Sequence, residues 1–378
     1  MRALALAGSL SACAAAVSAA QLVVGQVAPL SDPKATGNQL RIGLKVYFDA
    51  VNHAGGIHGA TVMLVSKDRK SVRDKETKSD ESVTKTRELI KESEPLVLAG
   101  ILGTEPTEEL VKSGLLKELD MALIGRTGAT SLHEPVNPWV FHARASYRNE
   151  TERIITQLAT IGHRRIAVFH ENSKFGKTGL AEVQDALKRK PEMQLVRSAS
   201  YEPDTTDVAD GVRSLAGADL QTVIVIANSS AAAEFYKTFR ASGSKAQVVA
   251  ISIVDASTVV KRLGKDAARG LVVTQVVPNP DNDTVPLIKE LRANLKKYAP
   301  AGTEINQTIV EGYLTARVLV EAFRIAGPNP TRKKVRNALE SIKNFDAGGV
   351  VIDFSPENHT GSRYVDLAIL LQSGRLMR

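Results

Sequence analysis

The segment 22–59, LVVGQVAPLSDPKATGNQLRIGLKVYFDAVNHAGGIHG, contains in one piece the unit from which the fold is built. Its first part, Leu22 to Ala28, is an apolar run that ends at Pro29, which is typical of a buried strand. After a polar stretch, apolar residues return at helical spacing, at Leu40, Leu44, Tyr47, Phe48 and Val51. The pair Gly55-Gly56 then predicts the end of the helix. The segment therefore predicts a strand, a loop and a helix in that order.

The same unit recurs along the chain. Runs such as Leu96 to Leu102, Arg165 to His170 and Thr222 to Ala227 are largely apolar, and helical patterns alternate with them. Because a half-exposed antiparallel strand would alternate polar and apolar residues, these strands predict parallel sheets covered by helices on both faces. About ten strands are more than one open sheet comfortably holds. We therefore expect an α/β protein with two sheets in two lobes.

The first twenty residues differ from the rest of the chain. Arg2 is their only charge, and a run rich in Ala and Leu extends from Ala3 to Ala20. The small residues at 17–20 fit a signal peptidase site, so we expect a secretory signal peptide over 1–20. Leu10-Ser11-Ala12-Cys13 also resembles a lipobox, and lipid anchoring through Cys13 is the alternative. Cys13 is the only cysteine, so cleavage after Ala19 or Ala20 would leave no disulfide.

The charges of the chain are mixed rather than clustered. Lysine and arginine number 49 against 41 aspartate and glutamate, a formal net charge of +8. The two signs interleave, as in Lys67-Asp68-Arg69-Lys70, and aromatic residues make up only 4% of the chain, so platforms for stacked bases are scarce. The pattern predicts a solvated surface and no nucleic-acid partner. After the leader, no apolar run is long enough to predict a membrane span.

The motifs of common enzymes are missing from the sequence. The loop after the first strand, Pro29 to Pro33, lacks G-x-G-x-x-G, and neither a P-loop nor a G-x-S-x-G elbow occurs. The seven histidines never fall at metal-ligand spacing. We therefore expect a protein that is not an enzyme, with no metal and no cofactor.

Three polar loops follow predicted strands in the first half of the chain, at 31–38, 103–107 and 126–131. Ligands of open α/β sheets bind at the carboxyl ends of strands, where helix N-termini offer free N–H groups. These loops also have a simpler interpretation. Thr36 fits a capping box, and Thr104 or Glu105 fits a helix N-cap, so capping and ligand contact are both open.

Together with the turn NHAGGIHG at 52–59, the opening segment resembles the start of Leu/Ile/Val-type periplasmic binding proteins. These are the substrate-binding components of ABC importers for branched-chain amino acids and related compounds. LAGILGT at 98–104 is similar to the second ligand loop of that family. RRIAVFHENSKFG at 164–176 is similar to the segment that opens its second lobe, and GLVVT at 270–274 to a returning strand.

The resemblance implies two Rossmann-like lobes with parallel-rich sheets, joined by three crossovers, and a ligand held between them by hinge closure. Lobe 1 is expected over 21–145 plus 275–349, and lobe 2 over 146–274 plus 350–378. The resemblance also implies a periplasmic location, an inner-membrane ABC permease as partner, and an amino acid or a related carboxylate or amide as ligand. No apolar surface stripe is evident, so we expect a monomer. A sensor of the same fold that feeds a regulatory pathway is the alternative.

The resemblance also suggests ligand contacts at individual positions. Thr104 would hold the ligand carboxylate, and Thr127, Gly128 and Ala129 of the third loop would meet the carboxylate and the ligand amine. Phe175 would close over the ligand from the second lobe. The remaining candidates are Tyr147 at the crossover, Asn228 and Ser252 at strand ends, Thr36 and Glu105.

Some positions depart from the family pattern and leave the ligand open. Thr36 stands where an aromatic residue is often found, and Ser252 where some amino-acid binders have a glutamate. If Glu105 points into the cleft, it repels a carboxylate and favours a cation; if it points outward, it complements the helix dipole. The amino-acid ligand is therefore open, and a carboxylate, an aromatic acid and an amide are candidates beside it.

Overall fold

The computed structural model describes residues 20–33, 35–69 and 81–378. Apart from Ala20, the predicted signal peptide and its Cys13 lie outside the described residues, so cleavage and lipidation stay predictions. Within these ranges, no helix combines the length and the apolar character needed to cross a membrane.

In the described residues, the first part of the chain forms a parallel sheet with five helices. Its strands are β1 (Gln21–Ala28), β2 (Thr61–Asp68), β3 (Val97–Leu102), β4 (Leu123–Arg126) and β5 (Val140–Phe141). They lie in the order β2-β1-β3-β4-β5. The helices are α1 (Thr36–His53), α2 (Ser82–Ser93), α3 (Thr104–Lys112), α4 (Leu115–Glu118) and α5 (Thr130–His133).

The chain then passes to a second α/β unit. Its strands are β6 (Arg165–Glu171), β7 (Gln194–Tyr201), β8 (Thr222–Ile226), β9 (Gln247–Ala250) and β10 (Val272–Gln275). Its helices are α6 (Tyr147–Thr160), α7 (Lys174–Lys188), α8 (Ala209–Ala216), α9 (Ser229–Ala241), α10 (Ala256–Leu263) and α11 (Lys265–Ala268).

The last hundred residues of the chain contribute helices and strands to both units. The helices α12 (Pro286–Tyr298), α13 (Gln307–Ala326) and α14 (Arg332–Ser341) and the short pair β11 (Phe345–Asp346) and β12 (Val351–Ile352) return to the first unit. The strands β13 (Asp366–Leu370) and β14 (Leu376–Met377) join the second sheet. That sheet has the order β14-β13-β10-β9-β8-β6-β7 and is parallel except for β13 and β14.

Each sheet is covered on both faces, as the apolar strands predict. Successive residues of β3 point to opposite sides: Val97 and Ala99 pack in one core, whereas Leu98 packs in the other. The second sheet divides in the same way, with Phe169 and Ile166 in different cores. A strand with helices on both sides has no solvent face, and this explains why its sequence does not alternate. The predicted fold class, two Rossmann-like lobes, is confirmed.

Two glycines set the distance between α1 and α13. A Cβ atom on Gly43 would lie 2.2 Å from the carbonyl oxygen of Ile309, and one on Gly312 would lie 2.3 Å from that of Leu40. Neither distance is compatible with a side chain, so the two helix backbones touch only because both positions are glycine. This contact brings the N-terminal ends of both helices to the same edge of the first sheet.

Three segments join the lobes: one between β5 and α6, one between β10 and α12, and one between β12 and β13. The first and third are bonded to each other, because His142 N donates to His359 O (2.9 Å) and Gly361 N donates to His142 O (2.8 Å). The first and third crossing segments are therefore joined by main-chain hydrogen bonds as well as by the lobes that they connect.

The division of the chain at 145/146, 274/275 and 349/350 stays a proposal, with one correction. We expected residues 350–354 in the second lobe, but Val350, Ile352 and Phe354 are almost fully buried in the core of the first sheet. The reason is local. The turn through Gly348 and Gly349 folds β12 back antiparallel to β11, so the apolar residues stay with the first lobe.

Candidate functional site

A cleft of about 1250 Å³ lies between the carboxyl ends of the two sheets. On the first lobe it is lined by the loops that follow β1 and β3 and by the N-terminal ends of α1 and α3. On the second lobe it is lined by the ends of β6 and β8 and the starts of α7, α9 and α10. Among the predicted contacts, the structure brings Thr36, Thr104, Glu105, Tyr147, Phe175 and Asn228 to its walls.

The threonines at the starts of α1 and α3 do not cap these helices. The N-cap residues are Ala35 and Gly103, and neither makes a side-chain cap bond. Thr36 and Thr104 are instead the first helical residues. The capping interpretation of both threonines is therefore wrong. Uncapped N–H groups at a helix start can hold an anionic group such as a carboxylate.

Thr104 is linked to the third loop behind it. Its Oγ1 lies 3.3 Å from Oγ1 of Thr127, and both residues are almost fully buried. Thr127 Oγ1 also accepts a hydrogen bond from Ala129 N at 3.2 Å. This chain of bonds fixes the Thr104 hydroxyl at the edge of the cleft.

The third loop lies behind the wall of the cleft, whereas we expected it on the wall. Thr127, Gly128 and Ala129 are not among the residues that line the cleft. Gly128 is packed against Tyr147, since a Cβ there would lie 2.5 Å from the tyrosine ring, and Gly128 O accepts from Tyr147 N at 2.6 Å. The loop supports Thr104 and Tyr147 in this structure, and direct ligand contact by these three residues stays a prediction.

The aromatic wall of the cleft comes from the second lobe. Tyr147 and Phe175 meet edge to face with their ring centroids 5.6 Å apart. Burial raises the pKa of Tyr147 to about 12, against the opposing effect of Arg144, so this phenol is neutral at ordinary pH. Asn228 caps α9, because its Oδ1 accepts from Ser230 N and Ala231 N at 3.0 Å each.

Glu105 links the two lobes. Its Oε1 accepts a hydrogen bond from Lys174 N, the first residue of α7, at 2.7 Å. The Lys174 side chain forms an ion pair with Glu108, one turn further along α3. Glu105 thus lines the cleft while its carboxylate complements the N-terminus of a helix on the opposite lobe.

Ser252 is not on the wall of the cleft. It is 3% exposed, and its Oγ accepts from Arg144 (2.6 Å) and donates to Glu150 (2.9 Å). Arg144 Nη2 also lies 2.8 Å from Glu150, whose other oxygen accepts from the hydroxyl of Thr274. The hydroxyl of Ser252 therefore already has its hydrogen-bond partners within a buried polar network.

This network continues into the first lobe. Arg144 Nη1 lies 3.5 Å from Glu311, which is also bonded by Arg126 at 3.0 Å. Arg126 reaches the cleft wall, whereas Arg144 and Glu150 are almost completely buried. Burial lowers the pKa of Arg144, but Glu311 and Glu150 outweigh it and raise the pKa. The four alternating charges compensate one another across the first crossing segment.

Several charged residues of the cleft were missed by sequence reasoning. The wall includes Asp32, Arg41, Arg69, Arg126, Glu171, Asp255, Lys261, Arg262 and Glu304. Some had a usable signal, since Glu171 and Arg126 are the last residues of their strands, where ligand sites occur. Others, such as Lys261 and Glu304, come from loops and helices that only the tertiary fold brings together. These two form an ion pair of 2.7 Å between the lobes.

The described part of the chain has no cluster of three or more His, Asp or Glu residues that could hold a metal ion. The chemistry of the cleft is that of hydroxyls, helix N-termini, aromatic faces and single charges. These groups suit the binding of a small polar molecule.

Comparison with known proteins agrees with this architecture. The sequence profile of the family described as "Periplasmic binding protein" matches residues 21–374. A substrate-binding periplasmic protein from Ralstonia solanacearum is 34% identical, and the match covers 94% of this chain and 99% of that one with a TM-score of 0.86. A Leu/Ile/Val-binding protein homolog from Brucella suis is 23% identical over 96% of this chain and 92% of its own length.

A branched chain amino acid ABC transporter from Thermus thermophilus, solved with bound valine, has the same fold. It is 18% identical, with a TM-score of 0.81 over 95% of each chain. The family and these solved structures are substrate-binding proteins rather than enzymes, and the prediction that the chain is not an enzyme is confirmed. With the profile matched over nearly its whole described length, the chain belongs to the periplasmic binding protein family.

Proposed function

We propose that this protein is exported to the periplasm, captures a small ligand between its two lobes and delivers it to an ABC permease of the inner membrane. The ligand is an amino acid or a related carboxylate or amide, and the protein acts as a monomer. The observation that carries the proposal is the cleft, whose walls come from the strand ends of both lobes. A ligand in this position contacts both lobes only when they are close together.

The contacts between the lobes support capture by hinge closure. On one side of the cleft, Glu105 and Glu108 of the first lobe meet Lys174 of the second. On another, Lys261 pairs with Glu304. Only the crossing segments are covalent links, so these pairs form and break as the cleft closes and opens. A ligand that bridges both walls shifts this equilibrium by binding the closed form better than the open form.

The ligand class follows from the first lobe. The uncapped start of α3 and the fixed hydroxyl of Thr104 lie at the same edge of the cleft. Free N–H groups and a hydroxyl are suitable partners for a carboxylate or for an amide oxygen. Tyr147 and Phe175 add an apolar surface for the rest of the ligand.

A thermal-shift screen of the mature protein tests this proposal. The panel contains amino acids, small carboxylates, aromatic acids and amides. A ligand at about a hundred times its dissociation constant adds roughly 2.7 kcal/mol to the free energy of unfolding, which is an easily measured rise in melting temperature. A rise with one class identifies the ligand. A panel without any rise contradicts the capture of a ligand of these classes.

We do not favour the alternative of a sensor that feeds a regulatory pathway. The solved relatives include a branched chain amino acid ABC transporter and a fatty acid ABC transporter substrate-binding protein from Thermomonospora curvata. These roles are those of the relatives, and they support import as the proposal for this chain.

A further inference from the structure

We propose that Glu108 and Lys174 form a latch between the lobes, which holds them together before any ligand binds. The latch acts on closure, and neither residue contacts the ligand. The inference rests on the proposed function, because it concerns the movement by which the cleft captures a small molecule. Its consequence is that the affinity for every ligand depends on a charge pair outside the binding site.

The pair lies beside the cleft rather than on its wall. In the described part of the chain, the wall includes Glu105 but neither Glu108 nor Lys174. Glu108 follows Glu105 by one turn of α3, and Lys174 is the first residue of α7 on the opposite lobe. A charge pair in this position changes the free energy of closure and leaves the contacts of the ligand unchanged.

The Glu108 carboxylate is fixed in place by the first lobe. The residue is 7% exposed, and its Oε1 accepts a hydrogen bond from the hydroxyl of Ser131 on α5 at 2.9 Å. Its Oε2 forms the ion pair with the Lys174 ammonium. Lys112, on the same helix, is a more distant partner, with its ammonium 3.9 Å from Oε2. A carboxylate that is already oriented and partly desolvated gains more from a cation than a solvated one does.

Two further contacts join the same two helices. The main-chain N–H of Lys174 donates to Oε1 of Glu105 at 2.7 Å. Val111, three residues after Glu108, packs against the core that contains Val183 of α7. The ion pair therefore belongs to a contact between α3 and α7 that combines apolar burial with charge.

A second ion pair between the lobes is much more exposed. The side chains of Lys261 and Glu304 are 60% and 74% exposed, although their charged atoms lie 2.7 Å apart. Exposed pairs of this kind are screened by water and salt and contribute little. This pair is therefore the matched control, because it also crosses between the lobes but lacks a buried carboxylate.

The latch reduces the cost of closure that a ligand must otherwise meet. The apparent dissociation constant is the intrinsic constant divided by the fraction of molecules in the binding-competent form. Loss of the latch lowers the closed fraction, so it raises the dissociation constant of each ligand by the same factor. A residue that contacts the ligand changes the affinities of different ligands by different factors.

The test measures the distance between the lobes in the mature protein without ligand. The chain from Gln21 onward contains no cysteine, so Lys117→Cys on α4 and Gln184→Cys on α7 can be spin-labelled specifically. Both positions are exposed. Pulsed electron paramagnetic resonance gives the distance distribution of the labelled protein and of its Glu108→Gln, Lys174→Met and Glu304→Gln derivatives. The melting temperature of each shows that it is folded.

We expect a substantial population at the shorter, closed distance in the labelled wild type. Glu108→Gln and Lys174→Met should each lower the ratio of closed to open molecules about two- to tenfold. Sodium chloride at about 1 M should shift the wild type in the same direction and have little further effect on Glu108→Gln. Glu304→Gln should give the wild-type distribution.

Affinity provides a second measurement. Titration calorimetry compares the wild type and Glu108→Gln with L-leucine, 3-phenylpropanoate and benzamide as probes. For each probe that binds, the dissociation constant should rise by the same factor, equal to the fall in the closed fraction.

Three results overturn the inference. The first is a wild type found only at the longer distance without ligand, and the second is a Glu108→Gln distribution equal to that of the wild type. The third is a loss of affinity that differs between the probes, since it places Glu108 in contact with the ligand. None of them contradicts ligand capture. A thermal-shift screen without any rise contradicts the proposed function, and the distance measurement still decides whether the latch exists.

Discussion

The hydroxyl of Thr104 does not cap α3, and its contact with Thr127 holds it at the edge of the cleft. It lies at the first position of α3 and its nearest polar partner is Oγ1 of Thr127, at 3.3 Å. A hydroxyl has one hydrogen to donate and two lone pairs, so this single contact leaves capacity for a ligand. The N-cap before it, Gly103, adopts φ 98°, makes no side-chain cap bond and also lines the cleft.

Replacing Thr104 by Val should therefore reduce binding more than stability. The substitution keeps the shape and removes one hydrogen bond to a charged group, which is worth roughly 1.5–3 kcal/mol, or about a ten- to hundredfold loss of affinity. The free energy of unfolding without ligand should change by no more than about 1 kcal/mol, since no helix cap is lost. Calorimetry with the ligand from the screen and urea unfolding measure the two effects.

Thr160→Val is the matched control. Its hydroxyl bonds to Thr156 O on an exposed part of α6, away from the cleft. Both variants should unfold like the wild type, and only Thr104→Val should bind more weakly. Equal affinity in the two variants would move the ligand away from the start of α3.

Sequence patterns indicated only some of the residues around this site. Thr104, Tyr147 and Phe175 follow or face strand ends, and that position can be deduced from order along the chain. Burial cannot be deduced in the same way. Ser252 also follows a strand, yet it faces inward because Arg144 and Glu150 occupy the space beside it.

At the scale of the elements, the contact between α1 and α13 determines where two helix starts lie. In the middle of a solvated helix, replacing Gly by Ala normally stabilises by up to about 1 kcal/mol. For Gly43 the sign should be reversed, because the new methyl group would lie 2.2 Å from Ile309 O. The helices must separate to accept it, and we expect a loss of about 1–3 kcal/mol in the free energy of unfolding.

The control for Gly43→Ala is Gly217→Ala. Gly217 ends α8 with φ −87°, and a Cβ there would have no neighbour within 4 Å. Urea unfolding should show little change or a small gain for Gly217→Ala and a clear loss for Gly43→Ala. If Gly43→Ala were as stable as the wild type, the helices would be further apart than the structure shows.

Element types were easier to predict than their assignment to lobes. Apolar runs such as Thr222 to Ala227 predicted strands that the structure contains, because a strand covered on both faces needs apolar residues at every position. The run 350–354 had the same appearance. It packs in the first lobe instead because a two-glycine turn at 348 and 349 reverses the chain, and an apolar run by itself does not show on which lobe it packs.

For the whole molecule, the crossing segments between the lobes carry buried polar groups. The Arg144 and Glu150 pair lies at the first crossing, and Glu311 extends it into the first lobe. Three buried histidines lie on the first and third crossings or against them: His133 and His142 stack with centroids 3.6 Å apart, and His359 stacks on Phe141. His133 Nδ1 also lies 2.7 Å from the hydroxyl of Thr360.

These histidines are neutral in the folded protein. Burial lowers the pKa of His142 to about 4, with Arg144 and His359 adding to the effect. Burial also lowers the pKa of His133, together with His142 and Arg144, and that of His359, although Glu340 opposes the shift there. The unfolded chain takes up protons near pH 6.5, before the folded form does. For His142, the stabilisation is therefore complete above pH 6.5 and is lost as the pH falls toward 4.

We therefore expect the free energy of unfolding to fall between pH 7.5 and pH 5.5, before most carboxylates titrate. Each histidine contributes up to roughly 1.4 kcal/mol per pH unit below 6.5. His142→Gln removes one titrating group, so it should be less stable at pH 7.5 but lose stability less steeply as the pH falls.

The control is His53→Gln, at an exposed position, which should keep the wild-type dependence of stability on pH. Urea unfolding at several pH values measures how steeply the free energy of unfolding changes with pH. If this slope were as steep in His142→Gln as in the wild type, His142 would take up its proton without unfolding. The crossings would then be open enough to hydrate a charged ring, and the hinge would be looser than its hydrogen bonds indicate.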